Sequence, residues 1–179
     1  MKQTGDSDKA ERRLVGEIAL AWWRATISDQ EKARDRGARA QLKRCSDPTE
    51  VFFCPAFHKL LYSLHAEGWH NRDTAAVIAG VLAHVKENNG GARFAAQMAA
   101  GKDGNEKTAV VSELRFRRLL KCKTRADLYL PVIRVVRLMG GQADVADLAK
   151  SIWNWEHKDC FVQRDWACDY YEHAPEKKT

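Results

Sequence analysis

Three groups of side chains in this sequence have the types and spacing to do chemistry. Cys54 and His58 stand one helical turn apart, with His65 and His70 following, and such residues ligate zinc when four of them converge. No CxxC, HxxxH or HExxH spacing supports a metal site, and no motif couples one cysteine to a histidine base as nucleophilic catalysis requires. Asp144 and Asp147 form an i, i+3 carboxylate pair, the pattern that also stabilises a helix N-terminus through its dipole. Neither GxGxxG nor GxxxxGK[ST] is present, and Gly90-Gly91 and Gly140-Gly141 fall where helices are expected to end. The expectation is a chain with no catalytic residues, no metal and no cofactor.

The third group is the strongest. Ser112–Met139 holds Arg115, Arg117, Arg118, Lys121, Lys123, Arg125, Arg134 and Arg137 against Glu113 and Asp127, so its local charge of +6 equals that of the whole chain. At about 100° per residue, Phe116, Leu119, Leu120 and Lys123 share one side of a helix, and Arg117, Arg118, Lys121 and Arg125 the other. One side can bury while the other presents cations. Such a face suits a polyanion, because each phosphate it neutralises releases counterions, whereas an ordinary solvated surface intersperses both signs. A second basic patch spans Gln30–Arg44, with Lys32, Arg34, Arg36, Arg39, Lys43 and Arg44 against Glu31 and Asp35; Arg36, Arg39 and Lys43 share a face. Gly141–Thr179 carries the opposite sign, at −3, so opposite ends of two copies could dock.

The elements that must position these residues read as helices. Leu14, Ile18 and Trp22 recur at four-residue spacing, and Ser28 with Glu31 fits a capping box opening a helix through Arg44. Asp47-Pro48 is a cap followed by an N1 proline, Cys54-Pro55 restarts the chain, and Phe57, Leu60, Leu61 and Leu64 form a helical stripe. Asn71 caps a helix whose inner face is Thr74, Ile78, Val81, Leu82 and Val85. Asn88–Gly91 breaks the pattern, Arg93–Ala100 is a short helix, and Lys102–Thr108 is a polar loop. Ser112 caps the basic helix. Asp127 caps the next, which would put Pro131 in its first turn, and Gly140-Gly141 ends it. Val145, Leu148, Ile152 and Trp155 mark another helix, and Trp166 with Tyr170 the last. Among the six tryptophans, Trp22, Trp153 and Trp166 are expected in the core.

The fold class is therefore all-α: two packed helical bundles, about eight helices in all. The divisions fall at 1–13 (a flexible N-terminal tail), 14–87 (an N-terminal bundle), 88–111 (a linker with a short helix), 112–171 (a C-terminal bundle) and 172–179 (a flexible tail). The start, MKQTGDSDKAERR, has no apolar stretch of the kind a secretory signal carries, and no run approaches a membrane span. Five cysteines without a framework spacing read as reduced thiols of a cytoplasmic protein.

Three segments carry a family resemblance: RGARAQLKRCSDPTEVFFCPAFHKLL (36–61), ELRFRRLLKCKTRADL (113–128), and DVADLAKSIWNWE with VQRDWACDYY (144–171). In order and spacing they resemble the CasB family, the small subunit of the type I-E CRISPR surveillance complex Cascade. The resemblance covers nearly the whole chain from Leu14 to Tyr171. It implies a non-enzymatic subunit that contacts guide RNA and target DNA beside the backbone and large subunits, packs head to tail with a second copy, and helps hold the opened R-loop. Carried over by motif, the nucleic-acid-binding residues would be Arg39, Lys43, Arg44, Arg115, Arg118, Lys121 and Arg125, with Arg134 and Arg137 following. Lys43, Lys121 and Lys123 stand where arginines are common in the family. A phosphate contact survives that exchange, while a bidentate one would not. The bottom-up reading agrees, because sequence specificity in such complexes rests on base pairing and the protein needs only backbone affinity. Two rivals are a helical adaptor whose basic faces dock an acidic protein, and a helical nucleic-acid enzyme.

Overall fold

In the computed structural model, residues 4–28, 36–102 and 105–175 are described. The described elements are α1 (Thr4–Thr26), α2 (Arg36–Arg44), α3 (Pro48–Val51), α4 (Pro55–Ala66), α5 (Arg72–Leu82), β1 (Glu87–Asn88), α6 (Phe94–Ala99), β2 (Gly101–Lys102), β3 (Asn105–Ala109), α7 (Glu113–Leu120), α8 (Arg125–Leu138), β4 (Gln142–Ala143), α9 (Val145–Trp153) and α10 (Phe161–His173). The chain is all-α in class. The four strands are short and form two two-stranded ribbons: β1 pairs with β4 in parallel, and β2 with β3 antiparallel. The β2–β3 ribbon occupies the segment read as a polar loop.

Helix α5 organises the interior. Thr74 through Leu82 are all buried, and a helix that is apolar all round belongs inside. Its small residues let neighbours approach closely. A Cβ on Gly80 would lie 2.4 Å from the Tyr129 hydroxyl, which crosses over α5 to donate to the Cys45 carbonyl at 3.0 Å. Asn71 caps α5 through Thr74 N at 3.0 Å, as its sequence predicts. α1 lies against α9 so closely that a Cβ on Gly16 would meet the Ala146 carbonyl oxygen at 2.7 Å. Helices from both halves of the chain thus feed one core cluster.

Three local readings differ from the structure. First, α1 begins at Thr4, within the segment read as a tail. Its buried stripe is Val15, Ala19, Trp22, Trp23 and Ile27, with Leu14 and Ile18 half-buried on the flank. The proposed Ser28–Glu31 capping box falls outside the described residues. Second, α7 stops at Leu120 instead of continuing through Arg125, so the face assigned to Lys123 and Arg125 does not exist. Third, Thr124 caps α8 in place of Asp127. Thr124 Oγ1 accepts from Asp127 N at 3.0 Å and Asp127 Oδ2 accepts from Thr124 N at 3.2 Å, a complete capping box. The earlier start places Pro131 inside α8, where it has no N–H for the Asp127 carbonyl. Buried Leu128, Tyr129, Val132 and Ile133 hold the helix through that gap.

Candidate nucleic-acid interface

The α7 surface follows directly from its sequence. Phe116 and Leu119 are buried, and Phe116 stacks on Tyr170 with centroids 3.9 Å apart and planes 6° from parallel. Tyr170 is itself fixed by donating to the Val111 carbonyl at 2.7 Å. The opposite side of the helix leaves Leu114, Arg115, Arg117, Arg118 and Lys121 exposed. Glu113 Oε1 lies 3.9 Å from Arg117 Nη1. Among the described residues Arg115, Arg118 and Lys121 have no carboxylate within ion-pair distance.

Four residues separate α7 from α8, whose outer face carries exposed Leu130, Arg134, Arg137 and Leu138. At 1.5 Å per residue α8 spans roughly 20 Å, and its exposed cations, Arg134 and Arg137, lie in its C-terminal half, apart from those of α7. There Arg137 meets α2. His84, buried at the C-terminal end of α5, is surrounded by Arg137, Lys43 and Arg39, and Arg137 Nη2 lies 3.4 Å from its Nδ1. A guanidinium can only donate, so Nδ1 is the acceptor and the imidazole is neutral. Burial, followed by the charges of Arg137, Lys43 and Arg39, lowers the His84 pKa to about 4. Cations that lie far apart in the sequence are thus gathered at one junction, where Arg44 is also exposed on α2.

This imidazole gives a pH prediction. The folded-state pKa near 4 lies below the ordinary value of 6.5, so between pH 6.5 and 4 the unfolded chain takes up a proton that the folded chain refuses. The His84 contribution to stability is complete above pH 6.5 and declines as the pH falls through that window. His84→Gln keeps an acceptor for Arg137 and removes the titration. Its urea midpoint should fall less steeply than that of the wild type between pH 6.5 and 4, and parallel curves would contradict this.

Two of the nine residues carried over by motif turn inward. Arg125 donates through Nε to Ile152 O at 3.0 Å and through Nη2 to Trp153 O at 2.6 Å, and it pairs with Glu156 at 2.5 Å. It closes the C-terminus of α9, and burial lowers its pKa despite Glu156. Arg39 donates to Ala83 O and Val85 O, both at 3.2 Å, and so closes the C-terminus of α5. Lys43, Arg44, Arg115, Arg118, Lys121, Arg134 and Arg137 are exposed. Arg117 shares the α7 surface although it is not among the residues carried over from the second family segment; its angle on the helix is the signal for it.

Of the remaining chemical candidates, His58, Cys54 and the Asp144–Asp147 pair have structural partners. His58 Nε2 lies 3.0 Å from the Phe52 carbonyl and so donates to it. Cys54 Sγ lies 3.6 Å from Cys45 Sγ, and burial pushes the Cys45 thiol up to about 12, away from the reactive thiolate. Asp144 caps α9 through Asp147 N at 3.0 Å, while Asp147 accepts from Phe94 N and pairs with Lys150, each at 3.0 Å. Among the described residues no group of three or more His, Cys, Asp or Glu side chains is placed to hold a metal ion. No described helix is long and apolar enough to cross a membrane.

Comparison with known proteins follows this geometry. The model of the family described as CRISPR-associated protein Cse2 matches residues 38–171. The fold is similar to CasB from Thermus thermophilus, at 22% identity and a TM-score of 0.60, covering 88% of this chain and 97% of that one. M. ruber CasB is similar at 19% identity and a TM-score of 0.62, covering 88% and 93%. A chain in the crystal structure of E. coli Cascade bound to a PAM-containing dsDNA target is similar at 19% identity and a TM-score of 0.60, covering 87% and 97%. No curated protein matches the chain. The family match spans α7 and α8 and most of α2, and with it the chain belongs to the CRISPR-associated protein Cse2 family, the CasB proteins its sequence resembles.

Proposed function

We propose that the chain is a non-catalytic small subunit of a type I-E Cascade surveillance complex, working in the cytoplasm, where its basic surface grips nucleic-acid backbone and stabilises the R-loop. The carrying observation is the two groups of exposed cations, one on α7 and its end and one on the C-terminal half of α8, in a Cse2-family fold. Arg115, Arg118, Lys121, Arg134 and Arg137, joined by Lys43 and Arg44 of α2, contact phosphates of the target and displaced strands. Arg39 and Arg125 act beneath them by fixing α5 and α9. Such contacts supply affinity without sequence preference, which suits a complex whose guide RNA reads the sequence.

Its partners on this reading are guide RNA, target DNA, the backbone and large subunits, and a second copy head to tail. A cleft of about 700 Å³ between α1, α6, α9 and α10 is lined by Glu17, Asp144, Asp147, Asp165 and Asp169, with Lys150 and Arg93 paired to Asp147 and Asp169; its remaining negative charge is opposite in sign to α7 and supports the pairing of copies. The adaptor reading draws on another observation: Phe53 and Tyr62 are 82% and 68% exposed, and exposed aromatics of this kind are frequent protein contacts. The test is affinity purification of the chain expressed with its co-encoded CRISPR proteins and a guide. The expected result is recovery of guide RNA and the other Cascade subunits. Recovery of an acidic protein with no RNA would favour the adaptor.

A further inference from the structure

We infer that Tyr171 and Arg117 form a seat for one unpaired nucleotide at the α7–α10 edge, the tyrosine stacking on the base and the guanidinium taking the adjoining phosphate. This rests on the backbone-binding reading above and adds the strandedness of the ligand. The two residues come from opposite ends of the C-terminal half and meet on one carboxylate oxygen. The Tyr171 hydroxyl donates to Glu113 Oε1 at 3.4 Å, and Arg117 Nη1 lies 3.9 Å from the same atom. The Arg117 side chain is 66% exposed and Tyr171 is 51% exposed.

The ring is held without being covered by a stacked partner. Phe116 and Tyr170 both meet it nearly perpendicular, at 6.2 Å and 84° and at 5.5 Å and 87°, while they stack face to face on each other beneath. Tyr171 is therefore oriented before any ligand arrives, which lowers the ordering cost of stacking. On α7 the ring meets Phe116 and Glu113; Arg117 lies beside that one carboxylate, and Arg115, Arg118 and Lys121 are exposed on the same helix, so cations outnumber the acid and the fitting occupant offers an aromatic face within a polyanion. A duplex keeps its base faces stacked inside, and only a single strand presents them to a protein ring.

The test measures fluorescence anisotropy of labelled oligo(dT) and of an abasic oligonucleotide of the same length, binding the full chain at low salt. Tyr171→Leu should weaken oligo(dT) binding by about 5- to 150-fold, the range for loss of one base–aromatic stack, and leave abasic binding unchanged. Tyr171→Phe should bind like the wild type, and Arg117→Ala should weaken both ligands. If Tyr171→Leu binds oligo(dT) as tightly as the wild type while Arg117→Ala weakens it, the stacking seat is wrong and backbone binding stands. If the wild type binds neither oligonucleotide, backbone binding fails and the seat with it. Should the leucine variant fail to fold, Tyr171→Trp gives the same information. Its added fluorescence over wild type should be quenched by oligo(dT) and not by the abasic strand, and equal quenching by both would overturn the seat.

Discussion

Trp155→Ala should lower the stability of the chain by about 3–5 kcal/mol, the usual cost of emptying a large aromatic site. Trp155 is fully buried, although it lies two residues past the end of α9. Its indole N–H donates to the Cys122 carbonyl at 2.9 Å, and its ring meets Trp166 edge-on at 5.0 Å. It therefore joins three parts: the α7–α8 connection, the end of α9 and the α10 helix. Alanine leaves a cavity and an orphaned carbonyl together, and each is destabilising. Domains of this kind are stable by only about 5–15 kcal/mol, so the variant should lose a large part of its margin. Urea unfolding followed by circular dichroism measures this through a lower midpoint with an unchanged slope. Trp153→Ala serves as the contrast. Trp153 is half-buried and packs edge-on against Trp69 at 5.2 Å, so the loss there should be smaller. Equal losses at the two positions would contradict this account of the core.

Changing Arg115, Arg118 and Lys121 together to alanine should leave the fold intact and strip the α7 surface of its grip. The three side chains are exposed, Phe116 and Leu119 keep their burial on the other side of the helix, and alanine is a strong helix former. Each lost phosphate contact should reduce the slope of log affinity against log salt by about one unit, so the triple variant should be flatter by about three. A flatter line means that the deficit is largest at low salt and narrows as salt rises. In an assembled Cascade, R-loops on matched target DNA should dissociate faster with the variant. A variant that folds by circular dichroism and holds R-loops for as long as the wild type would remove α7 from the interface and give the adaptor reading the lead.

Much of this was legible in the sequence, and the exceptions share a cause. Turn and cap signals are local, so Asp47-Pro48, Asn71 and Gly140-Gly141 mark element ends correctly; Gly140 and Gly141 adopt the positive φ that closes α8. Charge density is also local, and the basic helix stands where its arginines do. What periodicity cannot supply is which way a side chain turns once a helix stops. Periodicity groups Trp155 with Val145, Leu148 and Ile152 on one helix, but α9 ends at Trp153 and Trp155 is buried by the turn that follows, while Trp153, expected in the core, lies half-buried at its flank. Arg125 and Arg39 look like their exposed neighbours in one dimension. Only the tertiary structure, which brings the start of α8 to the end of α9 and packs α2 on α5, shows them closing carbonyl ends. His84 had no signal at all, since its role depends on cations delivered by two distant helices.

The central claim is that this chain grips nucleic-acid backbone without reading sequence. Its most direct test is a salt titration of the full wild-type chain against two single-stranded oligonucleotides of equal length and unrelated sequence. The account predicts affinities that match within a few-fold and fall together along a steep log–log line as salt rises. A flat line, or a strong preference for one of the two sequences, would contradict it.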